Sequence, residues 1–287
     1  MNAASQRAWR IYAAGRRMLT RADRARDAQL LAGAVGDRSD LERWNERLAR
    51  HHLRYRASVE PVQGRVAAVC VTSRLDRLDH LVASIRRQDH HDFEVVVVTN
   101  ADSFAEVDVA SAFMGVGRVR VIDCSPEHSL GACLNAGIDA TDSRFVAKFD
   151  DDDHYGARYL SDALRAHAYA ASGVVGKHSY YAHLAASDRT VLRFPGHEFE
   201  YTGTLAGGTL VIDRERTGDL RFRDVSLGED RSLIADCHRR GISTFAADRF
   251  NFAQHRGGDN TWRVPEELFV RNTIEISNGL PLAEIDA

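Results

Sequence analysis

Short apolar runs alternate with amphipathic segments through the middle of the chain, and this pattern indicates an α/β fold. Runs rich in β-branched residues favour buried strands, whereas apolar residues spaced three and four apart favour helices. The pattern predicts, in order, a strand over residues 65–73, a helix over 78–88, strands over 93–100 and 118–123, a helix over 129–140 and a strand over 144–149. Such an alternation predicts a mainly parallel central sheet flanked by helices. Ligands of these sheets bind beyond the carboxyl ends of the strands.

The second half of the chain continues the alternation less regularly. The pattern predicts a helix over residues 157–172, a strand-like segment over 174–184, an extended segment over 192–195, a strand preceded by a glycine pair within 202–213, and a helix over 227–241. The last of these helices opens with acidic residues and closes with Arg-Arg-Gly, which is the charge order that a helix dipole favours. Residues 250–276 are predicted to begin as a loop and to end as a helix.

The N-terminal region differs from the rest of the chain in its charge. Residues 1–56 contain thirteen arginines and six acidic residues, a balance of +7, whereas the remainder carries 25 basic and 35 acidic side chains, a balance of −10. Alanine and arginine favour helix here, and the SVEPVQG segment then ends the helical pattern. We therefore expect a basic helical extension over residues 1–57 and a main domain over residues 58–287. The extension either packs on the main domain with a solvated arginine face or lies peripherally on anionic lipid.

Composition and cysteine usage indicate an ordinary globular protein of a reducing compartment. The 287 residues are 44% apolar and 28% charged, which is typical of soluble domains. The four cysteines lack CxxC spacing, which fits a cytoplasmic protein. The longest uncharged apolar runs, at residues 66–71 and 95–98, are too short to span a bilayer. We expect a cytoplasmic protein without a nucleic-acid partner, peripheral to the inner face of the membrane if its extension binds lipid.

Four consecutive aspartates, residues 150–153, directly follow the strand predicted at 144–149. Carboxylates crowded this closely raise one another's pKa unless a cation lies among them. An EF-hand loop starting at Asp150 would place Tyr155 where glycine is required, and neither a Walker A loop nor a GxGxxG turn follows the first strand. Two interpretations are left. The run is either a solvated acidic loop or a site for Mg²⁺ or Mn²⁺, which proteins hold through one or two carboxylates together with substrate phosphates.

Five short motifs together resemble those of family 2 glycosyltransferases, which have the GT-A fold. The motifs are VTSRL at residues 71–75, TNAD at 99–102, CLNAG at 133–137, KFDDDD at 148–153 and GED at 228–230. The resemblance covers roughly residues 65–260. The chain departs from the family pattern at Thr99 and Asn100, where aspartates are usual, and at Leu134, where an arginine is usual.

The resemblance implies a role for each matching residue. It assigns contact with the nucleoside or ribose to Asp150, general-base catalysis to Asp230 beside Glu229, and phosphate binding to Arg256. It assigns a Mn²⁺ or Mg²⁺ cofactor to Asp152, with His255 as a further ligand. The donor-binding set also includes Thr72, Arg74, Asn100 and Asp151. Candidates for contact with the acceptor are Gly207, Gly208 and Trp262, although a β-bulge would explain the glycines and simple packing would explain the tryptophan.

These roles imply a metal-dependent, inverting glycosyltransferase that moves a sugar from a nucleotide diphosphate, with UDP favoured, to an acceptor hydroxyl. The acceptor is a saccharide, a lipid-linked sugar, a peptide or a small molecule. One alternative is a nucleotidyltransferase acting on a sugar phosphate, which would need a basic, glycine-rich turn after the first strand. The other is an inactive module that binds nucleotide sugars. The sequence assigns no role to His178, His183 or His197.

Overall fold

The computed structural model describes residues 46, 49–50, 52–105, 107–258 and 264–287. The predicted lipid contact of the basic extension rests on residues outside this part of the chain, as does the acceptor role of Trp262. Thirteen strands occur within the described residues. They are β1 (Val66–Thr72), β2 (Phe93–Thr99), β3 (Arg118–Asp123), β4 (Phe145–Phe149), β5 (His154–Tyr155), β6 (Val174–Gly176), β7 (Tyr180–Leu184), β8 (Arg189–Arg193), β9 (Glu200–Tyr201), β10 (Val211–Asp213), β11 (Thr244–Ala246), β12 (Phe252–Arg256) and β13 (Thr273–Asn278).

The helices of the described residues lie mainly between the strands, as the sequence pattern predicts. They are α1 (52–58), α2 (Leu78–Arg86), α3 (Val109–Ala112), α4 (Leu130–Asp139), α5 (Tyr159–Ala170), α6 (Arg214–Thr217), α7 (Glu229–Arg239), α8 (Glu266–Phe269) and α9 (Leu282–Ile285). None of the described helices combines the length and the apolar character that crossing a membrane requires.

The central sheet has eight strands in the order β3-β2-β1-β4-β10-β6-β11-β9. Strands β3, β2, β1 and β4 are mutually parallel, which confirms the α/β prediction for this half of the sheet. Strand β10 is antiparallel to both of its neighbours, and β9 is antiparallel to β11, so the whole sheet is mixed. This arrangement gives β4 one parallel and one antiparallel neighbour.

Six of the seven residues of β1 are buried because helices cover both faces of the sheet. Its side chains alternate between two clusters: Ala68 and Cys70 pack with Leu81 of α2, whereas Val69 packs with Leu134 of α4. Burial of a leucine stabilises the fold by about 1.5–3 kcal/mol. This two-sided burial explains why the strand is a continuous apolar run without polar alternation.

A second sheet of five strands, in the order β13-β8-β7-β12-β5, was not predicted from the sequence. The strand-like segment at 174–184 is two strands, β6 and β7, and they belong to different sheets. The prediction that residues 250–276 begin as a loop and end as a helix is wrong. Within the described part of this range, β12 comes first, the four-residue α8 is the one helix, and the range ends within β13. Pairing with β7 and β5 buries Phe252 and Ala253, and this tertiary contact outweighs the local propensity.

Residues on both sides of the boundary expected near Ser58 contribute to one apolar cluster. Tyr55 of α1 is 4% exposed and packs edge-on against Tyr169 and Phe199. The Arg56 guanidinium binds the buried carboxylate of Asp162 at 2.6 Å. Helix α1 is therefore held to the body of the protein by both packing and a buried ion pair.

Candidate active site

The register of the parallel strands places the aspartate quartet beside the end of β1. Cys70 of β1 pairs with Phe149 of β4, so the residues that follow Phe149 lie level with Thr72 and the turn after it. The Thr72 hydroxyl donates to Oδ2 of Asp151 at 2.6 Å. The carboxyl ends of β1 and β4 thus lie at one polar edge of the sheet, where ligands of such sheets bind.

Arg74 connects two of the aspartates. Its guanidinium forms a very short contact with Oδ1 of Asp151 and lies 3.0 Å from Oδ2 of Asp152. Both carboxylates are buried, and the arginine fork can serve two carboxylates at once. Burial acts to lower the pKa of Arg74, but hydrogen bonding to Asp151 and the charges of both aspartates outweigh it and raise the pKa.

Lys148, which the sequence analysis overlooked, connects the quartet to the GED motif. Its Nζ lies 3.1 Å from Oδ1 of Asp150 and 3.5 Å from Oε1 of Glu229, and its side chain is 6% exposed. Burial acts to lower the pKa of Lys148, but the charges of Asp150, Glu229 and Asp230 outweigh it and raise the pKa. The sequence did contain a signal for this role: Lys148 is the one charged residue inside the apolar run FVAKF. A charge in a buried strand requires a partner, so an acidic neighbour could have been predicted.

The antiparallel register of β10 brings the glycine pair against the quartet. Val211 pairs with Ala147, and continuing this register places Gly208 opposite Asp150. A β-carbon at Gly208 would lie 2.7 Å from Oδ2 of Asp153 and 2.8 Å from Oδ2 of Asp150. One at Gly207 would overlap Oδ2 of Asp230. A side chain at either position would therefore have to displace one of these carboxylates.

The glycine pair belongs to a 3-10 turn, Gly207–Thr209, directly before β10. The buried Tyr155 hydroxyl ties this turn to the quartet, since it donates to the Gly208 carbonyl at 2.7 Å and accepts from the Asp150 amide at 2.8 Å. Because Gly207 adjoins Asp230 and Gly208 adjoins Asp150, the two acidic motifs flank the same turn although 80 residues of sequence separate them.

Asp153 is the most deeply enclosed carboxylate of the quartet. Oδ1 accepts from the His255 amide at 2.9 Å, and the His80 ring donates to the Asp153 carbonyl at 2.9 Å. Burial, together with the charges of Asp152 and Asp150, raises the pKa of Asp153 well above its usual value. Burial and the charge of Asp150 likewise raise the pKa of Asp152, although Arg74 opposes this. The carboxylates therefore favour a bound proton or cation.

Strand β12 carries the predicted histidine and arginine to the same edge. Phe252 pairs with Tyr155 and Ala253 with His154 in antiparallel register, and continuing this register places His255 opposite Asp152. The Arg256 guanidinium lies over the Phe269 ring, 4.8 Å from its centroid. Burial lowers the pKa of Arg256 despite the nearby charges of Asp153 and Asp152.

Asn100 lies at the carboxyl end of β2. Strand β1 lies between β2 and β4, the strand that the quartet follows. Its side-chain amide donates to the Ser125 carbonyl at 2.5 Å, and its backbone amide donates to the Thr72 carbonyl at 2.9 Å. The neighbouring Thr99 hydroxyl donates to Asp123 at 3.0 Å. These contacts place Asn100 on the same edge of the sheet as Thr72 and the aspartate quartet.

Two groups of three potential metal ligands occur within the described residues, with ligand atoms in each lying within 4.8 Å of one another. They are His178, His197 and Glu200, and the buried set His52, Asp162 and Asp248. The predicted Asp152 and His255 belong to neither group. In the second set, the carboxylates are already bound to Arg56 and Lys177, so that set is a buried ion-pair network.

The family model of "Glycosyl transferase family 2" matches residues 67–225, which is more than half of the chain. The chain belongs to glycosyl transferase family 2. The matched region contains both the Arg74 turn and the aspartate quartet, whereas Glu229, Asp230 and His255 lie beyond it. The family resemblance and the glycosyltransferase class are thereby confirmed.

Relatives of this glycosyltransferase include TuaG of Bacillus subtilis (strain 168), which is named as a glycosyltransferase of teichuronic acid biosynthesis. The two are 21% identical over 219 residues, which are 70% of this chain and 84% of TuaG. Among solved structures, residues 1–349 of S. aureus TarS in complex with UDP-GlcNAc match with a TM-score of 0.56 at 17% identity, over 72% of this chain and 63% of that one.

The mannosyltransferase PcManGT of Pyrobaculum calidifontis, in complex with GDP-Man and Mn²⁺, matches with a TM-score of 0.53 at 16% identity, over 74% of this chain and 65% of that one. The glycosyltransferase thus spans just under two thirds of the length of these two solved structures. At such identities the likeness shows the fold, which is the predicted GT-A type.

Proposed function

We propose that the protein is a metal-dependent, inverting glycosyltransferase that moves a sugar from a nucleotide diphosphate to an acceptor hydroxyl. The observation that carries this proposal is the meeting of two distant acidic motifs. Lys148 lies between Asp150 and Glu229, and the Gly207–Gly208 turn lies between Asp150 and Asp230. A group that holds the donor and a group that activates the acceptor are needed within one site, and these motifs supply both.

The side chains at the quartet suit a hard divalent cation. Mn²⁺ and Mg²⁺ prefer oxygen ligands, and the pKa of Asp152 is raised by burial and by the neighbouring charge of Asp150. Asp152 and His255, opposite each other by strand register, would hold the ion. When bound, a divalent cation stabilises the negative charge on the departing diphosphate. The Mn²⁺ in the PcManGT complex supports this assignment.

The donor would bind across the carboxyl ends of β1, β2 and β4. Thr72 and Arg74 fix the carboxylate of Asp151, and Asp150 and Asn100 would contact the nucleoside. UDP is the favoured nucleotide because TarS is seen with UDP-GlcNAc and UDP, although PcManGT binds GDP-Man. Arg256 would contact phosphate oxygens, for which a guanidinium offers a fork of donors.

Asp230 is assigned as the general base. It is the second residue of α7, and its carboxylate lies against Gly207. Asp230 would take the proton of the acceptor hydroxyl as that oxygen bonds to the anomeric carbon and the bond from this carbon to the diphosphate breaks. One displacement of this kind inverts the anomeric configuration. Glu229 would fix the start of α7 through Lys148, and the backbone of Gly207 and Gly208, which approaches Asp230 and Asp150 closely, would contact the acceptor.

The name of TuaG supports one acceptor class. It refers to teichuronic acid biosynthesis, so a saccharide or lipid-linked sugar is favoured over a peptide or small metabolite. We place the reaction in the cytoplasm, which the four free cysteines support.

Asp230→Asn tests the assignment, with Asp236→Asn on the same helix as the matched control. Asp236 binds Arg223 at 3.0 Å on the surface and should be dispensable. Loss of a general base should lower transfer by about 10²–10⁴-fold without changing the Mn²⁺-dependent thermal shift given by UDP. Wild-type transfer by Asp230→Asn would reject the base. Release of pyrophosphate rather than nucleoside diphosphate would reject glycosyl transfer.

A further inference from the structure

A pair of histidines and a glutamate meet away from the aspartate quartet, and the proposed reaction uses none of them. The rings of His178 and His197 are stacked with centroids 4.4 Å apart. Glu200 binds Nδ1 of His197 at 2.8 Å. One ligand atom from each of the three side chains lies within 4.8 Å of the others.

The backbone around these histidines is fixed by Ser179. Its hydroxyl donates to the Phe194 carbonyl at 2.5 Å and accepts from the His197 amide at 3.0 Å. Since Ser179 follows His178 directly, this one side chain holds the 194–197 segment beside His178. Phe194 has a positive φ of 45°, a conformation that costs a non-glycine residue energy and persists where the surroundings impose it.

The three side chains match the chemistry of zinc. Two imidazoles and a carboxylate form a common three-ligand set for Zn²⁺, which leaves a fourth position for water or a substrate group. The Thr202 hydroxyl lies 3.4 Å from Nδ1 of His178, which suits a partner that orients the ring and directs Nε2 toward a metal.

The distances are within reach of a zinc site. Ligand atoms of a tetrahedral site with Zn–N bonds of about 2.0–2.1 Å lie about 3.3 Å apart. The three side chains must therefore close by at most about 1.5 Å, which rotation about side-chain bonds can supply. His197 is 50% exposed and Glu200 is 24% exposed, so an ion can enter from solvent.

We propose that His178, His197 and Glu200 form a second metal site, for Zn²⁺ or a similar borderline transition-metal ion, next to the segment that carries Gly207 and Gly208. Lys177, next to His178, accepts a backbone hydrogen bond from Ala206 at 2.7 Å and donates one to the Thr209 hydroxyl at 2.9 Å. The site is thus coupled to the segment that carries Gly207 and Gly208. A bound ion would brace residues 194–201 against this glycine segment.

Metal binding to the full chain tests the site independently of transfer activity. The protein is stripped with a chelator and titrated with Zn²⁺ in millimolar Mg²⁺, which occupies sites that prefer oxygen ligands. His178→Gln/His197→Gln should bind one Zn²⁺ fewer than the wild type, or bind it more than about 100-fold more weakly, since loss of an outer-shell partner alone costs 10–100-fold. His90→Gln/His91→Gln, which also replaces two histidines but leaves the proposed ligands intact, is the control and should bind as the wild type.

Two further measurements keep the test decisive. Glu200→Gln retains a hydrogen-bond acceptor for His197 but removes the charge, so it should weaken Zn²⁺ binding even if the double-histidine variant fails to fold. X-ray absorption of the zinc-loaded protein should show two imidazole ligands in the wild type and none in the double variant. Equal Zn²⁺ affinity and stoichiometry in the wild type, Glu200→Gln and the double-histidine variant would overturn the proposal.

Discussion

Replacement of Lys148 by methionine tests the connection between the two acidic motifs. Methionine keeps most of the side-chain length but removes the ammonium from between Asp150 and Glu229. At separations of 3.1 and 3.5 Å, each pair interacts by about 5 kcal/mol at an effective dielectric constant near 20, before desolvation is subtracted. Removal of one partner from a buried pair costs about 3–5 kcal/mol. Because Asp150 is 30% exposed, we expect a loss near 3 kcal/mol.

This loss is measurable in both urea and thermal unfolding. In domains of 150–250 residues, 1 kcal/mol corresponds to about 2–4 °C in Tm, so Lys148→Met should lower Tm by about 6–12 °C. Adding Glu229→Gln removes one of the unpaired charges. The double variant should therefore be more stable than the sum of the single losses predicts, with a coupling free energy of about 1–2 kcal/mol.

Lys177→Met is the matched control, because Lys177 is an equally buried lysine whose Nζ lies 3.3 Å from Asp248. It should cost similar stability but show no coupling to Glu229→Gln. A Lys148→Met protein as stable as the wild type, or a coupling energy indistinguishable from that of Lys177→Met, would refute the reasoning.

Three other predictions follow from the described contacts. Arg74→Lys replaces a fork that serves two carboxylates with a single ammonium, so UDP affinity in calorimetry should fall about tenfold, and unchanged affinity would contradict the role of Arg74. The raised pKa of Asp153 means that the native state binds a proton at this carboxylate more tightly than the unfolded state does. The stability of the metal-free protein should therefore fall as pH rises above 3.8, the usual pKa of aspartate. Asp153→Asn should flatten this decline in urea unfolding at pH 4–8, and an unaltered slope would contradict the prediction. Arg56→Met leaves the buried Asp162 without its partner at 2.6 Å and should lower the free energy of unfolding by about 3–5 kcal/mol. Arg50→Met, which removes an exposed arginine, should lower it by less than about 1 kcal/mol. Equal losses would show that the buried ion pair contributes nothing specific.

The first half of the fold follows from local pattern because its strands are buried on both faces. Strands β1 and β2 contain continuous apolar runs, and α2 follows β1 after a short polar turn. The carboxyl ends of parallel strands meet at one edge, so proximity of Thr72 to the quartet follows from topology alone. Strands that are buried on both faces can be recognised from their own apolar runs.

The second half depends on pairing between distant segments, which no local signal records. Strand β12 is five residues long and has an ordinary loop composition, and it becomes a strand because β7 and β5 offer partners on either side. The contact of Lys148 with Glu229 likewise spans 81 positions and depends on α7 following the antiparallel β10. Motif resemblance supplied the pairing of the two acidic motifs where the hydrophobic pattern could not.

The charge balance at the quartet connects the fold to the proposed chemistry. Four aspartates with Glu229 and Asp230 offer six carboxylates, and Lys148 and Arg74 each contact two of them. Even so, burial and the neighbouring carboxylates raise the pKa of Asp152, Asp153 and Glu229. Lys148 and Arg74 therefore orient the carboxylates but do not balance all of their negative charge. A divalent ion must displace the protons that the carboxylates hold, so its affinity should increase with pH.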